Sequence, residues 1–259
     1  MVINQRFVRA VSRRATAAVF AAAAIAAVAP TSSLAQDRGN PNFYYVIHPT
    51  LWFANVDGVI EFEDAGLEIG DSELYASFAG SVEVGKGRWR GIGTIRTTNL
   101  AGSTEIDGPA IPPDFVGDYD FGLTVAELFA SVEFGSFETN QALEFLAGFR
   151  AVWHNLDVAV EPGTQVAREN WLEPVVGARY YAEMGRSFWA TVDGNIGAFG
   201  IGSQVAWEIA ATLAWRITRR IDFTLATRYN QSEYRNSDTG YLWDEGVIQG
   251  WHFGLRWKG

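Results

Sequence analysis

The chain contains no cysteine, only three histidines, and only two lysines, Lys86 and Lys258, among its 259 residues. Without cysteine there is no disulfide, no thiol nucleophile and no thiolate ligand for a metal. The folded chain must therefore be stabilised by packing alone. Aromatic residues, in contrast, are abundant, with 17 Phe, 10 Trp and 9 Tyr. Because aromatic residues are enriched in strands, this composition favours an all-β protein.

Long apolar runs are also scarce. The one near the start, from Ala15 to Ala29, is shorter than the ~20 residues that a spanning helix needs. Small residues follow it at Ser33-Leu34-Ala35, and basic residues precede it at Arg6, Arg9, Arg13 and Arg14. This order is typical of a secretory signal peptide. We therefore expect residues 1–35 to be a signal peptide and residues 36–259 to form one exported domain.

Positive charge is in short supply once the leader is set aside. The leader holds four of the 20 basic residues and none of the 30 acidic ones, so residues 36–259 carry a net charge of −14. Nucleic-acid binding depends on lysine and arginine neutralising phosphates. The charge balance therefore argues against a nucleic-acid partner.

The clearest pattern is an alternation with a period of two residues. In QVAWEIAATLAWRIT, residues 204–218, every second side chain is large and apolar, and the side chains between are mostly polar or small. Such alternation indicates a β-strand with one apolar face. At about fifteen residues the strand is much longer than the ~5–6 residues usual in globular sheets.

The same alternation predicts nine further strands. The ten predicted strands are Tyr44–Ala54, Ser77–Val84, Trp89–Thr98, Thr124–Phe134, Leu143–His154, Leu172–Glu183, Phe188–Gly197, Gln204–Thr218, Ile221–Tyr229 and Val247–Trp257. Apolar faces with aromatic residues near the strand ends, opposite faces that mix charge with small residues, and an even strand count are typical of outer-membrane barrels. The predicted fold is a single closed antiparallel transmembrane β-barrel, with ten strands favoured over eight or twelve. The expected location is the outer membrane of a Gram-negative bacterium.

The connections support this prediction, because short ones alternate with long ones as periplasmic turns alternate with external loops. The long connections are roughly 55–76, 99–122, 155–171 and 230–246. Acidic residues crowd the first two: Asp57, Glu61, Glu63, Asp64, Glu68, Asp71, Glu73, Glu105, Asp107, Asp114, Asp118 and Asp120. We interpret them as solvated charge, with a weak divalent-cation site as the alternative. Residues 57–76 could also fold into the barrel mouth.

Charged side chains on the polar faces predict a lumen network of ion pairs. Its members are Glu83, Arg90, Arg96, Glu127, Arg150, Glu173, Arg179, Asp193, Glu208, Arg216, Asp222, Arg228 and Arg256. Hairpin registers that place Glu83 opposite Arg90, Glu127 opposite Arg150 and Arg216 opposite Asp222 would pair opposite charges. Ten strands leave little room for water. We therefore favour a structural network over a narrow channel.

The histidines give weaker indications. If Phe43 lies opposite Trp257 in the closed barrel, then His48 and His252 are lumen neighbours and could form a pH-responsive or metal pair. His154, at the external rim with Asp157 beyond it, raises the alternative of a rim hydrolase acting on protein or lipid. The sequence presents neither a full catalytic set nor a complete metal or cofactor site. We therefore predict a protein that is not an enzyme and that uses no metal or cofactor.

Three short motifs carry a resemblance. They are Pro49, Leu51 and Trp52; then Trp171, Pro174, Gly177 and Arg179; then Gly194, Asn195, Gly197, Ala198, Phe199, Gly200, Gly202 and Ser203. With these motifs the chain resembles a group of small, porin-like outer-membrane β-barrel proteins of Gram-negative bacteria, from which it departs at Asn195 and Ala198. The resemblance implies a fold and a location, and no activity. We interpret the glycines of 194–204 as a hairpin connection, because a strand follows them where a phosphate-binding loop requires a helix.

These observations rank three functions. The first is a largely closed membrane barrel with a structural role or a surface-interaction role through its acidic external loops. The second is a narrow porin-like channel for small solutes, and the third is the rim hydrolase. The expected partners are outer-membrane lipids and, during insertion, the barrel assembly machinery; the sequence names no surface partner.

Overall fold

In the computed structural model, the described residues are 43–62, 65–70, 75–108, 111–112, 114–134, 140–160 and 163–259. The expected signal peptide lies outside them, as do four acidic residues of the first long connection, Glu63, Asp64, Asp71 and Glu73. Within the described ranges, no helix is both long and apolar enough to cross a membrane.

Eleven strands make up the described structure. They are β1 (Phe43–Phe62), β2 (Ala65–Ile69), β3 (Tyr75–Lys86), β4 (Trp89–Asp107), β5 (Val116–Phe134), β6 (Gln141–Val160), β7 (Gly163–Met184), β8 (Phe188–Gly197), β9 (Val205–Arg216), β10 (Ile221–Asn236) and β11 (Tyr241–Lys258).

Ten of these strands form a closed ring. Every neighbouring pair from β3 to β11 is antiparallel, and β1 closes the ring by pairing with β11 on one side and β3 on the other. The additional strand, β2, pairs with the outer end of β1 and with β4. The predicted ten-stranded antiparallel barrel is therefore confirmed, with one extra strand added to its external end.

The barrel is apolar on the outside and charged on the inside over its periplasmic half. On β6, Leu143, Phe145 and Phe149 are exposed, whereas Glu144 and Arg150 are buried. All ten strands of the ring show this arrangement, and they form an outward apolar belt about eleven residues tall on strands such as β1, from Phe43 to Phe53. A belt of this height matches the 9–11 residues that a tilted transmembrane strand needs.

Most of the predicted long loops are in fact strands. Residues 99–107, 116–122, 155–160, 163–171, 230–236 and 241–246 continue the barrel wall past the belt. They still alternate, but with the polarity of the two faces exchanged: Asp118 and Asp120 point outward, whereas Tyr119 and Phe121 are buried. Water replaces lipid outside the wall at this level, so the apolar side chains turn inward.

The first long connection extends the wall. After a register shift between Asp57 and Val59 relative to β11, β1 continues to Phe62 and forms a hairpin with β2. The inward side chains of this hairpin, including Ile60, Leu67 and Ile69, are fully buried. The external half of the lumen is thus filled by side chains of its own wall.

The hairpin of β8 and β9 is short, and its connection has the predicted place between Gly197 and Val205. Four of its residues have positive φ, namely Ala198, Phe199, Gly200 and Gly202. At Gly202 a side chain would also meet the carbonyl oxygen of Leu172 at 2.7 Å. Glycine is required here by both conformation and space.

Pro49 and Pro174 lie within strands, each at a point where pairing with one of the two neighbouring strands is interrupted. The register of β1 with β11 continues past Pro49 without a shift, but the ladder skips His48 and Pro49. Pro174 lies one residue beyond the last pair of β7 with β8, Val175 and Gly197. Because proline has no amide donor, a proline inside a sheet often lies at a β-bulge. Neither Pro49 nor Pro174 does so.

Candidate functional site: the barrel lumen

All thirteen charged residues predicted to face the lumen lie on the inner face of the wall. They form three groups along the barrel axis: a layer that crosses the lumen, a cluster around Arg90, and a cluster around Asp222 at the periplasmic end. The external half above them is filled by apolar and aromatic side chains.

The crossing layer consists of Arg96, Glu127, Arg150, Glu173, Glu208 and Arg228. Arg96 Nη2 lies 3.3 Å from Glu127 Oε2 and 3.1 Å from Glu208 Oε2. Since β4 and β9 lie on opposite sides of the ten-stranded ring, the ion pair between Arg96 and Glu208 spans the lumen. Arg150 completes one side of the layer, with Nε 2.8 Å from Glu127 and Nη1 3.0 Å from Glu173.

Asn195 links two members of this layer. Its Oδ1 accepts a hydrogen bond from Arg150 Nη2 at 2.5 Å, and its Nδ2 donates to Glu208 Oε1 at 3.2 Å. Position 195 is also where the chain departs from the pattern that it resembles. A carboxylate there would accept from Arg150 but would have no proton to donate to Glu208, so the amide suits this network.

The Arg90 cluster holds two glutamates that face each other across a strand pair. Glu133 and Glu144 are direct partners in the register of β5 and β6. Arg90 forms an ion pair with each of them, at 2.9 Å between Nη1 and Glu144 Oε2, and donates through Nε to the Tyr44 hydroxyl at 2.7 Å. One guanidinium therefore compensates the like-charge pair.

The Asp222 cluster gathers three cations around one fully buried carboxylate. Arg216, Arg256 and Lys258 lie 3.8, 3.4 and 3.5 Å from its oxygens. Arg216 also reaches Glu183 at 3.4 Å. The predicted network omits Glu183 and Lys258. Glu183 lies four positions from Arg179 and Lys258 two positions from Arg256, so each faces the same side as a predicted member of its own strand. The alternation could have identified both.

Two of the three predicted cross-strand registers are confirmed, since Glu127 pairs with Arg150 and Asp222 with Arg216. Arg179 also pairs with Asp193. The register that places Glu83 opposite Arg90 is wrong. The hairpin is two residues longer on β3, so Lys86 pairs with Trp89, and Glu83 faces Ile92. The long arginine side chain still brings Arg90 Nε to 3.6 Å from Glu83.

The two lumen histidines are not direct partners. The structure pairs Ile47, not Phe43, with Trp257, and this shift of four residues places Trp52 opposite His252. His252 stacks on the Trp52 ring with centroids 5.2 Å apart, whereas His48 Nε2 lies 2.7 Å from the Thr224 hydroxyl. Among the described residues, no group of three or more histidine and carboxylate side chains is arranged to hold a metal ion.

A cavity of about 190 Å³ lies between the crossing layer and the periplasmic turns. Tyr44, Arg216 and Lys258 line it near the strand ends, and Arg96 and His252 line its inner end. On the external side of the crossing layer the described residues enclose a much smaller space of about 20 Å³, lined partly by Trp52 and His154.

We call the apolar filling of the external half the outer core. Its largest members are aromatic and include Trp52, Phe121, Trp171, Tyr234, Tyr241 and Trp243. Trp171 and Tyr234 stack face to face with centroids 4.0 Å apart, and Phe121 stacks on Trp243 at 5.8 Å. Such packing fills most of the lumen at this level.

His154 belongs to this outer core. Its ring contacts Phe121, Trp171 and Trp243 edge to face, and Nδ1 lies 2.9 Å from the Tyr241 hydroxyl. Asp157 lies on the outer face of the same strand, where it accepts from Arg168 at 3.0 Å. The pair that suggested a rim hydrolase is therefore split between the two faces of the wall.

Glu169 closes the external end of the lumen between β7 and the tip of the β10–β11 hairpin. It accepts hydrogen bonds from the Thr239 hydroxyl at 2.5 Å, from Asn236 Nδ2 at 3.1 Å and from the Tyr234 hydroxyl at 3.3 Å. Burial and the Glu169 carboxylate raise the pKa of the neighbouring Tyr241 phenol. The tip is thus tied to β7 above the short β8–β9 hairpin.

Comparison with known proteins returns similar structures only. No family model matches the chain, and no curated protein matches it. Outer membrane protease OmpT from Escherichia coli is similar at 11% identity and a TM-score of 0.45, covering 88% of this chain and 99% of that one. The attachment invasion locus protein Ail of Yersinia pestis is similar at 10% identity and a TM-score of 0.39, covering 83% and 99%. The outer membrane protein OprG from Pseudomonas aeruginosa is similar at 10% identity and a TM-score of 0.38, covering 85% and 98%.

These structural neighbours are small outer-membrane β-barrel proteins. The membrane assignment of the present chain rests on its own geometry: ten antiparallel strands in a closed ring, an apolar belt on the outside and ion pairs on the inside. It is a transmembrane β-barrel of the outer-membrane class.

Proposed function

We propose that the protein is a non-conducting barrel of the bacterial outer membrane that holds a rigid acidic surface outside the cell for interaction with a basic partner. The observation that carries this proposal is the double closure of the lumen, first by the crossing layer and then by the outer core. Outer-membrane lipids contact the belt, and the barrel assembly machinery inserts the chain.

The two parts of the closure block the lumen in different ways. The crossing layer places charged side chains across its centre, and the outer core surrounds any entering ion with apolar side chains. Arg96 occupies the lumen centre and is held on both sides by Glu127 and Glu208. Beyond it, an ion would have to enter the outer core, where an isolated charge is strongly disfavoured. A channel would need a continuous polar path.

Planar-bilayer recordings on the refolded protein test the closure. We expect no conductance steps from the wild-type barrel. The proposal fails if steps appear and change in ion selectivity when the charges of Glu127 and Arg150 are exchanged. Asp157→Asn, an exposed change on the outer face, serves as the control and should alter nothing in either case.

The external extension is strongly acidic on its outer face. Among the described residues of that face only Arg168 and Arg235 are basic. The acidic ones are Asp57, Glu61, Glu68, Glu105, Asp107, Asp114, Asp118, Asp120, Asp157, Glu233, Asp238, Asp244 and Glu245. All of these except Asp114 and Asp238 lie on strands, which display their charges in fixed positions.

The densest part of this face spans β4 to β6. Asp120 pairs directly with Asp157 across β5 and β6, and Arg168 compensates only Asp157 of these two like charges, whose juxtaposition destabilises a sheet. On the neighbouring strand pair, Ser103 donates to Asp118 at 2.6 Å. A basic protein surface that binds here would relieve the repulsion, which is why we favour a cationic partner.

A lysine decapeptide is a suitable probe for this surface. We expect salt-sensitive binding that D118N/D120N weakens several-fold more than D238N/E245Q, a variant with the same charge change at the β10–β11 tip. Equal weakening by both variants would show that the probe senses net charge only, and would contradict a defined interaction face.

The periplasmic cavity favours one alternative, a narrow channel for small solutes. In that case the crossing layer and the outer core would have to rearrange to let a solute pass. The same bilayer recordings separate the two functions, because a gated channel opens under applied voltage and a closed barrel stays silent.

A further inference from the structure

The periplasmic cavity has features that a merely structural lumen does not require. It lies on the periplasmic side of the crossing layer, and several of its lining side chains retain solvent access, with Arg179 and Arg228 each 22% exposed. Since the outer core closes the other end, the cavity is blind. This step rests on the closure proposed above.

The charges that line the cavity are unequal in sign. Seven cationic side chains face it, but only three carboxylates do, namely Glu83, Glu183 and Asp193. The remaining network carboxylates, such as Asp222, Glu144 and Glu173, are not part of the lining. The lining cations are Arg90, Arg96, Arg179, Arg216, Arg228, Arg256 and Lys258.

The periplasmic mouth of the cavity shows the excess most clearly. Arg216, Arg256 and Lys258 share Asp222, which is fully buried beneath them, and Glu183 reaches only Arg216. We call these three cations the cationic mouth. In this group the cations outnumber the carboxylates by three to two.

The inner end of the cavity holds buried side-chain nitrogens of Arg96, Arg228 and His252 that have no hydrogen-bond partner among the described residues. Arg96 is 5% exposed and His252 is 7% exposed. Among the described residues, neither Arg96 Nη1 nor His252 Nε2 has a hydrogen-bond partner, and Arg228 Nε has none either. A buried donor left unpaired is costly, so a ligand that supplies acceptors would be favoured there.

The volume restricts what can bind. About 190 Å³ is smaller than the ~300–1,000 Å³ of typical small-molecule sites. A compact anion with several acceptor oxygens satisfies the size, the sign and the free donors together.

We propose that this cavity is a binding site for a small oxyanion of the phosphate or sulfate class, which enters from the periplasm. The cationic mouth attracts the anion, and Arg96 and Arg228 present hydrogen-bond donors at the inner end, where His252 Nε2 adds a third in the tautomer that carries its proton on Nε2. Arginine suits this role because its planar donors match an oxyanion's oxygens.

Calorimetric titration of the refolded wild-type barrel with inorganic phosphate, at constant ionic strength, tests the site. We expect one saturable site per barrel. In R256Q/K258Q, which removes two mouth cations and leaves Arg216 to pair with Asp222, binding should be about tenfold weaker. The control R168Q/R235Q, with the same loss of charge on the external face, should bind like wild type.

Several outcomes would overturn the proposal. These are the absence of saturable heat from the folded wild-type protein, and an equal weakening in R168Q/R235Q. Heat-modifiable migration on a gel verifies that each variant is folded. Conductance is recorded separately, so an open lumen would refute the closure, whereas the titration alone decides the anion site.

Discussion

At the scale of single residues, the lumen shows how a barrel can bury many charges. Each network carboxylate lies within ion-pair distance of at least one arginine, and Arg96 serves two carboxylates from opposite sides of the ring. Arginine fits because its guanidinium remains charged and offers donors in several directions. Burial of an ion pair adds little net stability, but removal of one partner leaves an uncompensated buried charge.

Arg96→Met should therefore be strongly destabilising. The substitution keeps most of the side-chain volume but deprives Glu127 and Glu208 of a shared cation, at a cost of about 3–5 kcal/mol in the free energy of unfolding. Urea unfolding in lipid vesicles, followed by tryptophan fluorescence, measures it. Arg168→Met, which breaks the exposed pair with Asp157, should cost less than about 1 kcal/mol. Equal losses would contradict the central role of Arg96.

The β8–β9 connection offers a matched pair of glycines. Gly200 and Gly202 both have positive φ, 79° and 76°, but only at Gly202 would a Cβ atom come within 2.7 Å of the Leu172 carbonyl oxygen. Gly200→Ala should cost about 1–2 kcal/mol from the left-handed conformation alone. Gly202→Ala should cost clearly more, and the same unfolding assay ranks the two. A reversed order would refute the close approach of this turn to β7.

At the scale of elements, the long strands keep one backbone periodicity along their whole length. Their apolar side chains face outward in the membrane and inward beyond it. On β6 the outward side chains run from Leu143 to Trp153 through lipid and then continue with Asn155 and Asp157 in water. The inward ones change from Glu144 and Arg150 to His154, Leu156 and Val158. The strand itself does not change at the boundary; the solvent outside it does.

This exchange predicts that an arginine is costly at one outward position of β6 and tolerated at another. Phe149→Arg places a cation in the belt and should cost about 2–4 kcal/mol. Asn155→Arg, six residues further along on the same face, lies in water but opposite Arg168 on β7, so it should cost less than about 1 kcal/mol. Comparable costs at both positions would place the membrane boundary elsewhere on β6.

At the scale of the whole molecule, the barrel is two cores stacked along one axis. The periplasmic half is stabilised by ion pairs inside and lipid outside, and the external half by an apolar core inside and water outside. Seven strands of the ring, β1, β4, β5, β6, β7, β10 and β11, continue from the periplasmic half into the external half, whereas β3, β8 and β9 end near the boundary.

Hydrogen exchange in detergent should reveal this continuity. Residues 117–123 and 154–158 should exchange nearly as slowly as the membrane strands, because their amides lie in paired strands around the outer core. The connection at 237–240 should exchange rapidly and serve as an internal reference. Fast exchange throughout 117–123 would contradict a folded extension and favour the loops that the sequence alone predicts.

The sequence predicts the ten-strand barrel, the placement of all thirteen lumen charges, and the pairs between Glu127 and Arg150 and between Arg216 and Asp222. Alternation is a local property, so it survives without tertiary information. The register between the first and last strands is wrong by four residues, because no short turn joins them to constrain it. Residues 118–121 alternate clearly, yet they fall in a predicted loop. The prediction expects apolar side chains to face outward along every strand, and in this segment they face inward.

What the sequence determines by itself is the direction of each side chain, inward or outward, because a strand's period of two depends only on local backbone geometry. What the tertiary structure decides is which inward side chains meet. Arg96 and Glu208 are more than a hundred positions apart, and only ring closure places them across the lumen from each other. Whether the lumen is open or closed is likewise a property of the closed ring, since it depends on side chains from all of its strands meeting at the axis.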